Sequence, residues 1–291
     1  MSTTTRTRAR TRAAAGPQAP PQPRRTSPVA LVREHLVLLL GLAVLVYTFV
    51  PIAVVVLMSF NDPASRLVYS FDGFTLHNWL NPCEDPDLCR ALGVSIRIGA
   101  LATAGATVLG TLAAFALVRH SFRGRSTSNL LIFLPMATPE VVMGSSLLAL
   151  FVASGFAGQL GFWTILIAHI MFCLSFVVVT VRARLAGMDD DLEQAAMDLY
   201  ATPAQTFWRV TFPLVLPGIA AAALLSFSLS FDDFIVTNLN SGNTTTFPMY
   251  VWGVSRVGIP MQVNVIGTLM FAISILVVIG VEVRARRRRA S

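Results

Sequence analysis

Apolar residues fall into six runs separated by shorter polar stretches, at about 36–58, 91–118, 130–151, 162–181, 213–236 and 263–283. A helix rises about 1.5 Å per residue, so some 20 residues cross the hydrocarbon core of a bilayer. The pattern predicts an all-α, polytopic membrane protein with six transmembrane helices. The third run is interrupted by Pro135 and by Pro139-Glu140, and the second carries Arg97 near its start. Gly93, Gly99, Gly105 and Gly110 in the second run, and Gly218–Ala223 in the fifth, are small enough for helices to approach closely in lipid. Ordinary bundle packing accounts for most of them.

The longest polar interruption in the second half is Asp189–Ile219. Leu192, Ala195, Ala196 and Leu199 recur at i, i+3, i+4 and i+7, which places them on one helical face. Asp189, Asp190 and Asp191 stand where a helix dipole favours carboxylates. Thr202-Pro203-Ala204-Gln205 predicts a second helix start, with Thr202 as cap, Pro203 at the first helical position and Gln205 closing a capping box. Two adjacent alanines make a shallow face that another surface can approach. A short helix of this kind, tethered by apolar spans, suits docking into a groove. The same periodicity describes an amphipathic helix lying on lipid.

Composition agrees with a membrane protein: 54% of residues are hydrophobic and 13% charged, against about 25% charged in a soluble domain. The mean hydropathy is +0.66. A pI near 10.3 raises nucleic acid as a partner, but charge placement excludes it. All 22 basic residues are arginine, and 18 of them lie in the N-terminal tail, the turn 119–125, the loop 182–212 and the C-terminal tail. The three intervening loops hold Arg66, Arg90 and Arg256. The positive-inside rule then puts both termini and the 182–212 loop in the cytoplasm, a parity that requires six spans. Residues 1–33, rich in Arg, Thr, Ala and Pro, cannot bury a core and read as a disordered tail; 34–283 is the membrane domain and 284–291 a basic tail. Arg24-Arg25 is no twin-arginine signal, because the apolar run that follows is long enough to span. Cys83 and Cys89 fall in an extracytoplasmic loop, where a disulfide is expected. Their spacing does not suit zinc, so no metal site is expected. Cys173 reads as a packed small residue.

Charges inside spans cost about 2.5–3.5 kcal/mol on insertion scales, so each needs a reason. Glu140 follows Pro139 in the third run, and Asp232 and Asp233 lie near the outer end of the fifth. Successive helical residues point about 100° apart, so the two aspartates cannot share one direction. One can line a watery path while the other caps or pairs. Carboxylates attract ammonium groups, and Phe231, Phe234 or Trp252 would add cation–π contacts. The plainer reading is a span-end aspartate bonded to backbone donors or to Arg256. His169 reads as a bonded bundle residue.

Leu192-Glu193-Gln194-Ala195-Ala196-Met197-Asp198-Leu199 through Leu216-Pro217-Gly218-Ile219 resembles the EAA loop of ABC importer permeases. It departs at Gln194, where glutamate is usual, and at Tyr200, where glycine is usual. Either the helix runs on past Tyr200 or its ring has a contact of its own. Ser226–Phe234, Phe247-Pro248-Met249-Tyr250, Val263-Asn264, Ser59-Phe60-Asn61 and Pro139-Glu140 are similar to the spermidine/putrescine branch of that family. The resemblance implies a type I ABC importer permease fold in a bacterial inner membrane, forming half of a translocation path. It implies a cytoplasmic ATPase dimer docked at Glu193, Gln194, Ala195, Ala196, Asp198, Leu199, Tyr200 and Pro203. It further implies a second, different permease chain and an extracytoplasmic substrate-binding protein. Asp232, Asp233, Glu140, Trp252 and Tyr250 become the candidate substrate path. No catalytic residues or cofactors are expected. A chain without lysine cannot form a Walker A phosphate loop, so ATP is bound by the partner. Related branches carry ferric iron or thiamine. A stand-alone cation channel or secondary transporter, or a non-transporting scaffold, are the other readings. The absence of an internal repeat and the docking loop weigh against both.

Overall fold

The computed structural model describes residues 28–65, 70–189 and 191–290. The expected disordered tail falls mostly outside them, as do Arg66 and Asp190. Helix α1 (Pro28–Met58) begins earlier than the apolar run, with Pro28 at its start. Two units divide at Ala53 and Val54. The first contributes apolar helix whose side chains from Leu36 to Val50 are largely exposed, as suits a lipid-facing surface.

In the second unit, α2 (His77–Leu80) and α3 (Pro86–Arg119) are followed by α4 (Arg125–Ala137) and α5 (Glu140–Ala153). Then come α6 (Phe162–Ala186), α7 (Asp191–Asp198), α8 (Pro203–Thr206), a π-helical turn (Phe207–Thr211) and α9 (Phe212–Asp232). Finally come α10 (Ile235–Asn240), α11 (Phe247–Val254) and α12 (Met261–Ala290). No strand occurs among the described residues. Five helices are long and apolar enough to cross a membrane, six if the bent pair α4–α5 is one span.

That pair is the third run, expected around 130–151 with interruptions at Pro135 and Pro139-Glu140; the chain breaks only at the second. Its two halves meet at 111°. Proline at 139 disfavours helix at the preceding residue, and Thr138 is extended (φ −83°, ψ 132°). Pro135 is accommodated inside α4. The fifth run also stops short of 236: α9 ends at Asp232, and Asp233 is extended before α10 resumes. At the C-terminus α12 continues through the stretch expected as a tail.

Helices α3, α6 and α9 share the core, with Ala106, Ala114, Val177, Val181, Val215 and Ala222 fully buried. Gly110 sets the α3–α6 spacing: a Cβ there would lie 2.7 Å from Val177 Cγ1. Gly110→Val is therefore expected to cost about 1–3 kcal/mol through overpacking. Thermal unfolding in detergent should show a lowered Tm, partly restored by Val177→Ala. An unchanged Tm would mean the helices part freely.

Candidate functional site

Two sites lie at opposite ends of α9. At its start, Asp191 opens α7, with its N–H bonded to Asp189 Oδ1 at 3.1 Å. Leu192, Ala195, Ala196 and Leu199 form one wall of an open groove of about 480 Å³, and Arg209, Val210, Pro213 and Leu214 form the other. The Thr202–Gln205 capping box is closed from both sides, at 3.3 and 2.9 Å. The helix does not run on past Tyr200. The helix stops at Asp198, and the Tyr200 ring is 96% exposed. Tyr200 takes the left-handed conformation (φ +63°), donating its N–H to Met197 O, while Ala201 N–H reaches Ala196 O. That is a Schellman end with tyrosine where glycine is usual, held at a cost on the order of 1 kcal/mol.

The other proposed docking residues divide. Gln194 and Asp198 are exposed, and Pro203 opens α8. Glu193 turns away from the groove: its carboxylate accepts from Arg119 Nη2 and, at 2.7 Å, from Thr211 Oγ1.

At the end of α9 the break after Asp232 separates the two aspartates. Asp233 Oδ2 accepts from the Thr237 N–H and hydroxyl, both at 2.8 Å, and Oδ1 faces the Val236 N–H at 3.4 Å. Its carboxylate thus caps α10, satisfying donors that a helix start leaves unpaired. His169 Nε2 lies 3.4 Å from the same carboxylate and 2.9 Å from Thr237 Oγ1, while Nδ1 meets Ser230 Oγ at 2.7 Å. His169 is a bonded bundle residue and helps hold the break.

Asp232 is exposed and lines a cavity of about 810 Å³. Glu140, the first residue of α5, lines it too, although it lies 92 positions earlier in the chain. Phe231, Phe234, Phe247 and Trp252 supply aromatic wall. The Phe234 and Trp252 rings are 5.3 Å apart, and the Arg256 guanidinium lies 5.5 Å from the Trp252 ring centre. Arg256 is thus engaged with the tryptophan. Tyr250 stands elsewhere. Its ring is buried beside Leu88 and Val263 and its hydroxyl donates to Asp85 Oδ2 at 2.6 Å.

Tyr250 tells what the Cys83–Cys89 turn does. The two sulfurs are bonded, with Cα atoms 5.5 Å apart. Within that turn Asp85 holds Tyr250 of α11, and Glu84 accepts from Gln262 Nε2 of α12 at 2.9 Å. The Ser59-Phe60-Asn61 motif is likewise an organiser. Fully buried Asn61 bonds Ser70 O, the Asp72 N–H and Asn78 Nδ2, and Phe60 stacks against Phe74 and Trp79. The Ser70 hydroxyl and the Ala64 N–H hold the Asp72 carboxyl below its ordinary range.

Residues 106–289 match the model of the binding-protein-dependent transport system inner membrane component family. The chain belongs to that family, the permease subunits of ABC importers. It is 36% identical over 245 residues to the spermidine/putrescine transport system permease protein PotC of Escherichia coli, covering 84% of this chain and 91% of that one. It is 38% identical over 240 residues to the putrescine transport system permease protein PotI of the same organism, covering 80% and 84%. PotC of Haemophilus influenzae is 37% identical over 235 residues, covering 80% and 90%. A bacterial ABC transporter that imports the acidic polysaccharide alginate shares the fold, with a TM-score of 0.63 at 17% identity over 89% of this chain and 97% of that one.

Proposed function

We propose that this chain is one permease of a heteromeric polyamine importer, taking spermidine or putrescine along a path lined by Asp232 and Glu140. The observation that carries this is carboxylates from two distant segments, Glu140 and the Asp232-Asp233 pair, meeting in one aromatic-walled cavity. Carboxylates pair with primary ammonium groups, aromatic faces attract cations, and the spaced charges of a polyamine match spaced acceptors. The relatives' names point the same way. Tyr250 acts beside the path as a structural residue, and Asp233, which also lines the cavity, is held by its bonds to Thr237 of α10.

The α7 groove is the seat of a cytoplasmic ATPase dimer. Leu192, Ala195, Ala196 and Leu199 offer a shallow apolar wall, Arg209 a charge, and Tyr200 an exposed ring kept at a backbone cost. A second permease chain completes the path, and a substrate-binding protein delivers solute outside. Both termini then face the cytoplasm, and this chain carries no catalysis and no cofactor of its own. ATP binding closes the ATPase pair, and differential contacts with α7 in the two states drive alternating access.

The test is reconstitution of this chain with its co-purifying partners in vesicles. ATP-dependent accumulation of labelled spermidine or putrescine, competed by the other polyamine and not by thiamine or ferric citrate, is the expected result. Uptake without ATP or ATPase would establish a channel or secondary transporter instead, and accumulation of a different solute would overturn the polyamine assignment.

A further inference from the structure

Helix α7 has two working faces, and only one of them forms the groove. The opposite face carries Glu193 and Met197, which line a small hollow of about 220 Å³ against Phe115, Arg119, Phe207 and Thr211. Glu193 Oε1 is the meeting point. It accepts from the guanidinium of Arg119, the last residue of α3, and from the hydroxyl of Thr211, the last residue of the π-turn that leads into α9. The Glu193 side chain is 17% exposed and that of Arg119 31%, while Thr211 is buried. Phe115 of α3 and Phe207 of the π-turn pack edge to face at 5.5 Å beside them.

We infer that Glu193 is a positioning residue that carries the motion of α7 into α3 and α9, and not a docking contact. This rests on the docking reading, since α7 must be moved by something. An apolar contact such as Met197 slides when a helix is pushed along its neighbour. A carboxylate held by two donors from different elements resists sliding and moves both. A π-turn adds a local register change that a rigid α-helix lacks, and such turns recur at functional sites. Coupling of binding is reciprocal: if the ATPase on α7 alters binding at the outer mouth, binding there alters the grip on α7 by the same factor.

The experiment uses the assembled importer in vesicles and reads the stimulation of ATP hydrolysis by the substrate-binding protein, together with the ATPase retained on purification. Glu193→Gln keeps size and one acceptor but loses the charge. It is expected to retain the ATPase and lower stimulation by about 10-fold. The swap Arg119→Glu with Glu193→Arg should recover most of that loss, while either change alone should not. Thr211→Val should weaken stimulation and Thr211→Ser preserve it. Full stimulation in Glu193→Gln, or a swap no better than its single changes, would overturn the inference. Loss of the ATPase in Glu193→Gln would also overturn it, by making Glu193 a docking contact and leaving the docking reading intact. Ala196→Arg, run alongside, reports on docking separately: an ATPase that stays bound there counts against the docking reading.

Discussion

Asp232→Asn should abolish most uptake while leaving the protein in the membrane, and Asp233→Asn should do the opposite. The two carboxylates are adjacent in sequence and both line the cavity, but Asp232 is exposed and Asp233 buried. Asp232 is exposed to the cavity, and no ion pair holds it among the described residues. Replacing it by the isosteric amide removes the charge that an ammonium group would meet. Hydrogen bonds to charged groups contribute about 1.5–3 kcal/mol, which is roughly 10- to 150-fold in uptake rate at limiting solute. Asp233 is 9% exposed and receives the Thr237 N–H and hydroxyl beside His169. An amide there keeps both Thr237 donors only by turning its NH2 group toward the Val236 N–H, leaving a buried mismatch of about 1–3 kcal/mol. At about 2–4 °C per kcal/mol for a protein of this size, the Tm should fall visibly. Labelled-polyamine uptake normalised to membrane abundance, with Tm in detergent, separates the two. A fully active Asp232→Asn protein would remove Asp232 from the path.

Span positions were legible because lipid demands long apolar helices, and that demand is written in composition alone. The α7 face was legible for a similar reason: Leu192, Ala195, Ala196 and Leu199 carry the helical period, and the groove they line needs no distant partner to define it. The roles of Asp232 and Asp233 were legible only as alternatives. Which one caps depends on the chain breaking after Asp232, and that break depends on His169 and Thr237 converging from other turns. Arg119 had counted only as a topology signal. Its partner Glu193 lies 74 residues away, and no local pattern encodes that meeting. Tyr250 reads from sequence as a wall residue because an aromatic near a proposed mouth suggests one, whereas its hydroxyl is bonded to Asp85 in the disulfide-closed turn. The bend at Thr138-Pro139 is signalled by proline, but proline fixes only that a helix is interrupted; the 111° angle, and α5 lying where Asn240 Nδ2 of α10 reaches Gly144 O at 3.2 Å, have no local signal.

Ala196→Arg should uncouple the chain from its energy source altogether. Ala196 and Ala195 are the floor of the groove beside Pro213 and Leu214, and the two small side chains are what leave room for another surface. An arginine there adds several heavy atoms and a charge where a partner's apolar surface must close, and truncation or obstruction at the centre of an interface commonly costs 2 kcal/mol or more. Arg209 across the groove adds like-charge repulsion. The fold has no reason to object, because the groove is open to solvent in the isolated chain, α7 keeps the Asp189 contact at its start, and α8 keeps its Thr202 cap. The variant should therefore reach the membrane in normal amount, yet purify without its ATPase and show no ATP-driven uptake. Ala196→Ser, which adds one oxygen, should retain both. If Ala196→Arg transports at the wild-type rate, the groove is a lipid-facing surface, and the energy must reach the bundle from somewhere other than α7.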